Sequence, residues 1–289
     1  MAVHKIDFMG KFKSILLCTD GSDYSSGAIH AAIDIARECG RPRLTVFRAL
    51  EFNPEFETEG LKFAEKIELQ AREHLEMIRE AAAENDVECE AVVRRTTEPW
   101  KAIIEEAKKR NSDMIVMGRR GMTGLKKILI GSQTSKVIAY APCSILVVPK
   151  DAVMRGKTLL LATDGSKYSE AAEMTALNMC SRCTEEGVCI VKNFLVLSVA
   201  RTNVLLERAR SNVEKIKKDA EERGIKVEPI VQVGRPYEVI LKTAEERDVD
   251  LIVMGTHGRT GLERVLMGSV TERIVALSRC AVLVVKYNR

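Results

Sequence analysis

Apolar residues in this chain gather in short unbroken runs, separated by longer stretches in which they recur every three or four positions. Runs at 15–18, 44–47, 87–93, 113–117 and 144–148 read as strands. Between them lie helical patterns at 23–39 and 58–85, a helix opening at Pro99, and a further helix before the last run. The same succession returns with strands at 158–162, 194–199, 227–231, 251–254 and 281–285 and a helix opening at Pro236. Strands that alternate with helices predict a parallel sheet with helices on both faces. The polar stretch from Lys150 to Gly156 separates the two successions, which predicts domains at 1–150 and 151–289.

The two successions are copies. Thr19-Asp20-Gly21-Ser22 recurs as Thr163-Asp164-Gly165-Ser166, and residues 113–150 align with 250–287 without a gap, sharing 18 of 38 positions. Between these landmarks the first copy carries seven extra residues.

The chemistry lies at the ends of the predicted strands. After the fourth strand of each copy comes a glycine loop, Gly118-x2-Gly121 and then Gly131-Ser132, repeated as Gly255-x2-Gly258 and then Gly268-Ser269. Glycines let a backbone approach a phosphate and turn N–H groups toward it, and a serine at a helix start can cap the helix or bind a phosphate oxygen. Asp20 and Asp164 follow the first strands. Beside phosphates a carboxylate would be repelled, so each is expected to face a ribose hydroxyl, an adenine edge or a metal ion. If the first and fourth strands are neighbours, both landmarks open on one crevice at the carboxyl ends of the sheet. Gly-x2-Gly alone is no more than a turn; its extension by Gly-Ser, its partner aspartate and its duplication make it specific.

Composition narrows the ligand class. With 46% hydrophobic and 30% charged residues among 289, and a net charge of +4, the chain has the balance of a globular protein, and neither nucleic acid nor a membrane is expected as a partner. The opening Met-Ala-Val-His-Lys lacks a signal-peptide core and no run is long enough to span a bilayer, so a soluble, cytoplasmic protein is expected. Of eight cysteines, Cys18, Cys143 and Cys280 sit in apolar runs as small hydrophobes. Cys180 and Cys183, with Cys189 nearby, form the one cluster that could bind a metal or act as a redox pair, but no further ligands complete a set.

The pattern Gly-x2-Gly-x9-Gly-Ser, with Thr-Asp-Gly-Ser after the first strand, resembles the nucleotide-binding signature of universal stress proteins, and it spans both halves. The resemblance implies two tandem flavodoxin/Rossmann-like α/β domains, each a five-stranded parallel sheet in the order 3-2-1-4-5. It also implies an adenine-nucleotide pocket in each, for ATP or AMP, with Mg2+ as the companion of ATP. By this likeness Asp20 and Asp164, with Thr19 and Thr163, would hold ribose or adenine, and Met117 and Met254 would line the base or sugar. Ala49 and Val199, at the ends of the second strands, would touch adenine. The loop glycines, Ser132 with Gln133 and Thr134, and Ser269 with Val270 and Thr271, would hold the phosphates. Around the second glycine, His257 and Arg259 in the second copy and Arg119 and Arg120 in the first could bind phosphate or stand as solvated loop charges.

No nucleophile–base pair and no Walker-type lysine accompany these loops. The chain is therefore read as a nucleotide-binding stress or regulatory protein with at most slow ATP hydrolysis, ahead of an ATP-dependent hydrolase or transferase and of a nucleotide-free dimerisation scaffold. Both copies are expected to be competent, although Thr97-Glu98-Pro99 stands where the second has Gly234-Arg235-Pro236. The resemblance also implies pairing through the last strands, 144–148 and 281–285, as an intramolecular pseudo-dimer or a homodimer. Light scattering on isolated halves should then report dimers; monomeric halves would count against pairing.

Overall fold

Runs of β-branched and aliphatic residues too short for a helix and buried on both faces become the central strands. A computed structural model describes residues 13–38, 42–52, 57–120, 130–185, 191–258 and 267–287, with the backbone alone over 57–63 and 181–185. The chain divides into two units that part between Asp151 and Ala152.

In the N-terminal unit the elements run β1 (Ser14–Cys18), α1 (Ser26–Glu38), β2 (Arg43–Glu51), α2 (Glu57–Ala83), β3 (Cys89–Thr96), α3 (Pro99–Lys109), β4 (Met114–Gly118), α4 (Ser132–Tyr140) and β5 (Ser144–Val148). All pairings within it are parallel, in the order β3-β2-β1-β4-β5. The C-terminal unit runs β6 (Thr158–Thr163), α5 (Lys167–Glu185), β7 (Asn193–Ala200), α6 (Leu206–Glu221), β8 (Glu228–Val233), α7 (Pro236–Glu246), β9 (Leu251–Gly255), α8 (Ser269–Leu277) and β10 (Ala281–Val285). Its order, β8-β7-β6-β9-β10, is the same. The expected 3-2-1-4-5 arrangement therefore holds in each unit. Strand succession reverses at β1 and at β6. Right-handed crossovers then place the first two helices of a unit on one face and the last two on the other.

Each first strand is fastened from below by the carboxylate that precedes the fourth. Asp113 Oδ2 accepts the N–H groups of Lys13 (2.6 Å) and Ser14 (2.9 Å). Asp250 Oδ2 does the same for Lys157 (2.8 Å) and Thr158 (2.9 Å). Ionised acceptors make these bonds stronger than neutral ones. They set the register of the two strands whose far ends carry the aspartate and the glycine loop.

Boundaries shift where hydrophobicity is a poor guide. The predicted helix at 23–39 begins as a single 3-10 turn, Asp23–Ser25, before α1, and Cys39 lies outside the described residues. The strand predicted at 87–93 is Cys89–Thr96, and that at 227–231 is Glu228–Val233. Both are outer strands of their units with many exposed side chains. Their extent is set by the neighbouring strand, as in the pairing of Ala49 with Arg94 and Glu51 with Thr96. No described helix is long and apolar enough to cross a membrane.

Replacing Asp250 by alanine should lower the unfolding free energy by about 1–3 kcal/mol, since two N–H donors lose a charged acceptor. Urea denaturation measures the loss, and Asp250→Asn should lose less.

Candidate functional site

In the C-terminal unit the chain leaves β6 through Thr163 and Asp164 in a tight turn. Thr163 Oγ1 accepts from Gly165 N–H (3.1 Å) and Asp164 Oδ1 from Ser166 N–H (3.0 Å). Beside it β9 ends at Gly255, where there is no room for a side chain: a methyl group would clash with the carbonyl of Tyr168. Gly118 is in the same position, 2.7 Å from the Tyr24 carbonyl oxygen were it to carry a methyl. The first glycine of each motif is thus required by a close backbone approach inside its own unit.

The loop closes on itself before the helix begins. Gly268 N–H donates to Thr256 O (3.0 Å), and Gly131 N–H to Arg119 O (3.0 Å). The buried hydroxyls of Thr271 and Thr134 donate to the strand-end carbonyls of Gly255 (3.0 Å) and Gly118 (3.2 Å). A hydroxyl has one proton, so neither threonine has a donor left for a phosphate in this arrangement. Gly268 and Gly131 are the N-caps of α8 and α4. The first N–H groups of these helices, from Ser269 and Ser132 onward, have no intrahelical acceptor and lie at the positive end of the helix dipole. Gly258 packs on Asp164: a methyl there would sit 2.7 Å from Oδ2. The carboxylate after β6 and the loop after β9 therefore meet.

Between them is a cavity of about 430 Å³. Thr163, Asp164, Val199, Met254, Gly255, His257 and Gly258 line it, together with Gly268, Ser269, Val270 and Thr271 from the start of α8. Every expected site residue of the second copy that the structure describes thus faces one space. Arg259 lies outside the described residues, as does Gly121 in the first copy. His257 is half-buried, with Nδ1 3.1 Å from Thr256 Oγ1 and its ring 5.2 Å from that of Tyr168. Further walls come from Leu197, Ser198, Leu205, Ala209, Asn212, Pro236 and Ile240, with Arg201 at the exposed rim. Sequence reading missed these. Asn212 was recoverable in part, since it borders the buried stripe Ala209, Val213, Ile216 and Ala220 of α6.

The N-terminal unit differs in detail. Asp20 Oδ1 accepts from Ser22 N–H (3.0 Å), Ser22 Oγ (2.7 Å) and Ser25 Oγ (3.0 Å). Thr19 Oγ1 accepts from Gly21 N–H (3.1 Å) and lies 3.5 Å from Nε2 of His74. Burial pushes the His74 imidazolium down, and the Arg48 guanidinium adds to that against the opposing pull of Asp20. Gln133, expected at phosphates, accepts the Trp100 N–H through Oε1 (3.1 Å) at the start of α3. Met117 is buried, Ala49 is half-buried at the end of β2, and Ser132 is exposed at the start of α4. Arg119 is half-buried, its guanidinium held below its usual range by burial and by the neighbouring charge of Arg120. Of the cysteine cluster, Cys180 is buried on α5, while the Cys183 side chain and Cys189 lie outside the description.

Comparison with known proteins assigns both halves to one family. The model of the universal stress protein family matches residues 11–149 and 156–286. A curated universal stress protein of Methanocaldococcus jannaschii is 50% identical over 84 residues, covering 29% of this chain and 52% of that one, so the match spans about half the length of that relative. Another, from Synechocystis, is 26% identical over 293 residues, covering 94% of this chain and 99% of its own. Among solved structures, a universal stress protein from Archaeoglobus fulgidus superposes with a TM-score of 0.77 at 22% identity, covering 94% of this chain and 96% of that one. At that identity the likeness concerns the fold.

One titratable group lies directly behind the cavity wall. Glu173 on α5 is buried, and Thr163 donates its hydroxyl to Oε1 (2.5 Å). Burial raises its carboxyl above the usual range, against the hydrogen bond from Thr163 and the charge of Lys215. The folded chain therefore binds this proton more tightly than the unfolded chain. Stability falls as pH rises from the unfolded to the folded titration point, and the penalty is complete above it. Glu173→Gln keeps the acceptor for Thr163 and removes the charge. The variant should unfold at higher urea than the parent at neutral pH, and the gap should close toward about pH 4, where carboxyls protonate.

Proposed function

Because this chain belongs to the universal stress protein family, we propose that it is a stress-response binding protein whose C-terminal unit holds an adenine nucleotide, ATP or AMP. The observation that carries this reading is the convergence of Asp164, the Gly255–Gly258 loop and the first turn of α8 on one cavity at the carboxyl ends of β6 and β9. A volume of about 430 Å³ falls within the range of small-molecule sites, roughly 300–1,000 Å³. Its apolar lobe, with Leu197, Val199, Ala209, Ile240 and Met254, suits a purine. Asp164 lines the same cavity where it meets the loop at Gly258, and a carboxylate there accepts from ribose hydroxyls. The N–H groups opening α8 suit the phosphates. With Thr271 occupied by the Gly255 carbonyl, these backbone donors and Ser269 carry the phosphate contacts. Such donors hold an anion without moving a proton, so the reading is binding rather than turnover.

Two measurements test it. Mass spectrometry of ligand released from denatured protein should find ATP or AMP. Calorimetric titration should find either one binding, and Asp164→Ala should weaken it about 10- to 100-fold, the worth of a lost hydrogen bond to a charged acceptor. Failure of both nucleotides to bind, or indifference to Asp164→Ala, would overturn the reading.

A further inference from the structure

The two units share landmarks but differ in the lining of the slot between their first and second strands. Cys18 pairs with Phe47 in one unit as Ala162 pairs with Leu197 in the other. The next residue outward is therefore Arg48 in the N-terminal unit and Ser198 in the C-terminal unit. On the following helices, the buried stripe Ala71, Leu75, Ile78 and Ala82 repeats the spacing of Ala209, Val213, Ile216 and Ala220. This makes His74 the counterpart of Asn212.

In the C-terminal unit both positions are small or neutral. Asn212 Nδ2 donates to Ser198 Oγ (3.3 Å), and both line the cavity. In the N-terminal unit a guanidinium on a three-carbon stem replaces the hydroxyl and reaches over the turn after β1. It lies against Gly21, where a methyl would displace it, and the glycine itself is called for by its φ of +79°. The Asp20 carboxylate supports that charge against the cost of its burial. Two consequences follow. Arg48 puts a long charged side chain where the other unit has the Ser198 hydroxyl at the cavity wall, and it draws on the field of the carboxylate whose counterpart, Asp164, faces the cavity. His74, bulkier than Asn212, stands beside Thr19 with Nε2 3.5 Å from its hydroxyl.

We propose that only the C-terminal unit binds an adenine nucleotide, and that Arg48, seconded by His74, shuts the equivalent slot of the N-terminal unit. This rests on the nucleotide reading above and departs from the expectation of two competent copies. It makes Arg48 the residue that sets how many nucleotides one chain carries.

Calorimetry on the full chain with ATP and with AMP decides it. The parent should bind one equivalent per chain, and Asp164→Ala should leave no second saturable site. Arg48→Ser combined with His74→Asn should raise the stoichiometry to two. The reciprocal Ser198→Arg should weaken the parent site by at least tenfold while circular dichroism stays native. Two equivalents on the parent, a second saturable site remaining beside the weakened one after Asp164→Ala, or a folded double variant that still binds one would overturn the proposal and leave the nucleotide reading standing. Absence of any binding by the parent would overturn both. The parent stoichiometry decides the matter even if a variant fails to fold.

Discussion

The end of the fourth strand in each unit is gripped from two sides, and the candidate site depends on that grip. From one side the first glycine of the motif sits against a backbone carbonyl, Tyr24 for Gly118 and Tyr168 for Gly255. From the other a buried threonine hydroxyl, Thr134 or Thr271, donates to the glycine's own carbonyl. A carbonyl at a strand end that has no ladder partner must find another donor. The threonine that supplies it lies in the first turn of the next helix, so satisfying the carbonyl also fixes where that helix begins. The direction of its first N–H groups, the part of the site suited to anions, follows from this one clasp.

The lower end of the same strand pair is fixed by an equally local device. Asp113 and Asp250 each hold two successive N–H groups at the start of the neighbouring first strand. With both ends tied, the aspartate after the first strand and the loop after the fourth are brought to one height. In the C-terminal unit they touch, through Gly258 and Asp164. The cavity is the space that remains when the second strand and its helix close the other side.

Much of this was legible in the chain itself. The inner strands are unbroken apolar runs, and their positions and order followed from periodicity and resemblance. The outer strands Cys89–Thr96 and Glu228–Val233 were misplaced by a few residues, because exposed strands carry little hydrophobic signal and take their length from pairing. Motif reading found the glycines, Asp164 and Ser269 at the cavity. It assigned the two threonines to phosphate, whereas their hydroxyl protons go to strand-end carbonyls. A motif records which residues stand at a place, not which of their hydrogen-bond partners prevails.

By itself the sequence determined the duplication, the α/β alternation, and the aspartate and glycine loops at strand ends, because each is written in contiguous residues or in a fixed spacing. Only the tertiary structure decided how the two copies differ inside. Arg48 and His74 in one, and Ser198 and Asn212 in the other, are separated by a helix or a loop in the chain. They come together through strand register and the facing of a helix. Whether a guanidinium fills a slot or a hydroxyl leaves it open depends on the distance between elements, and folding alone sets that distance.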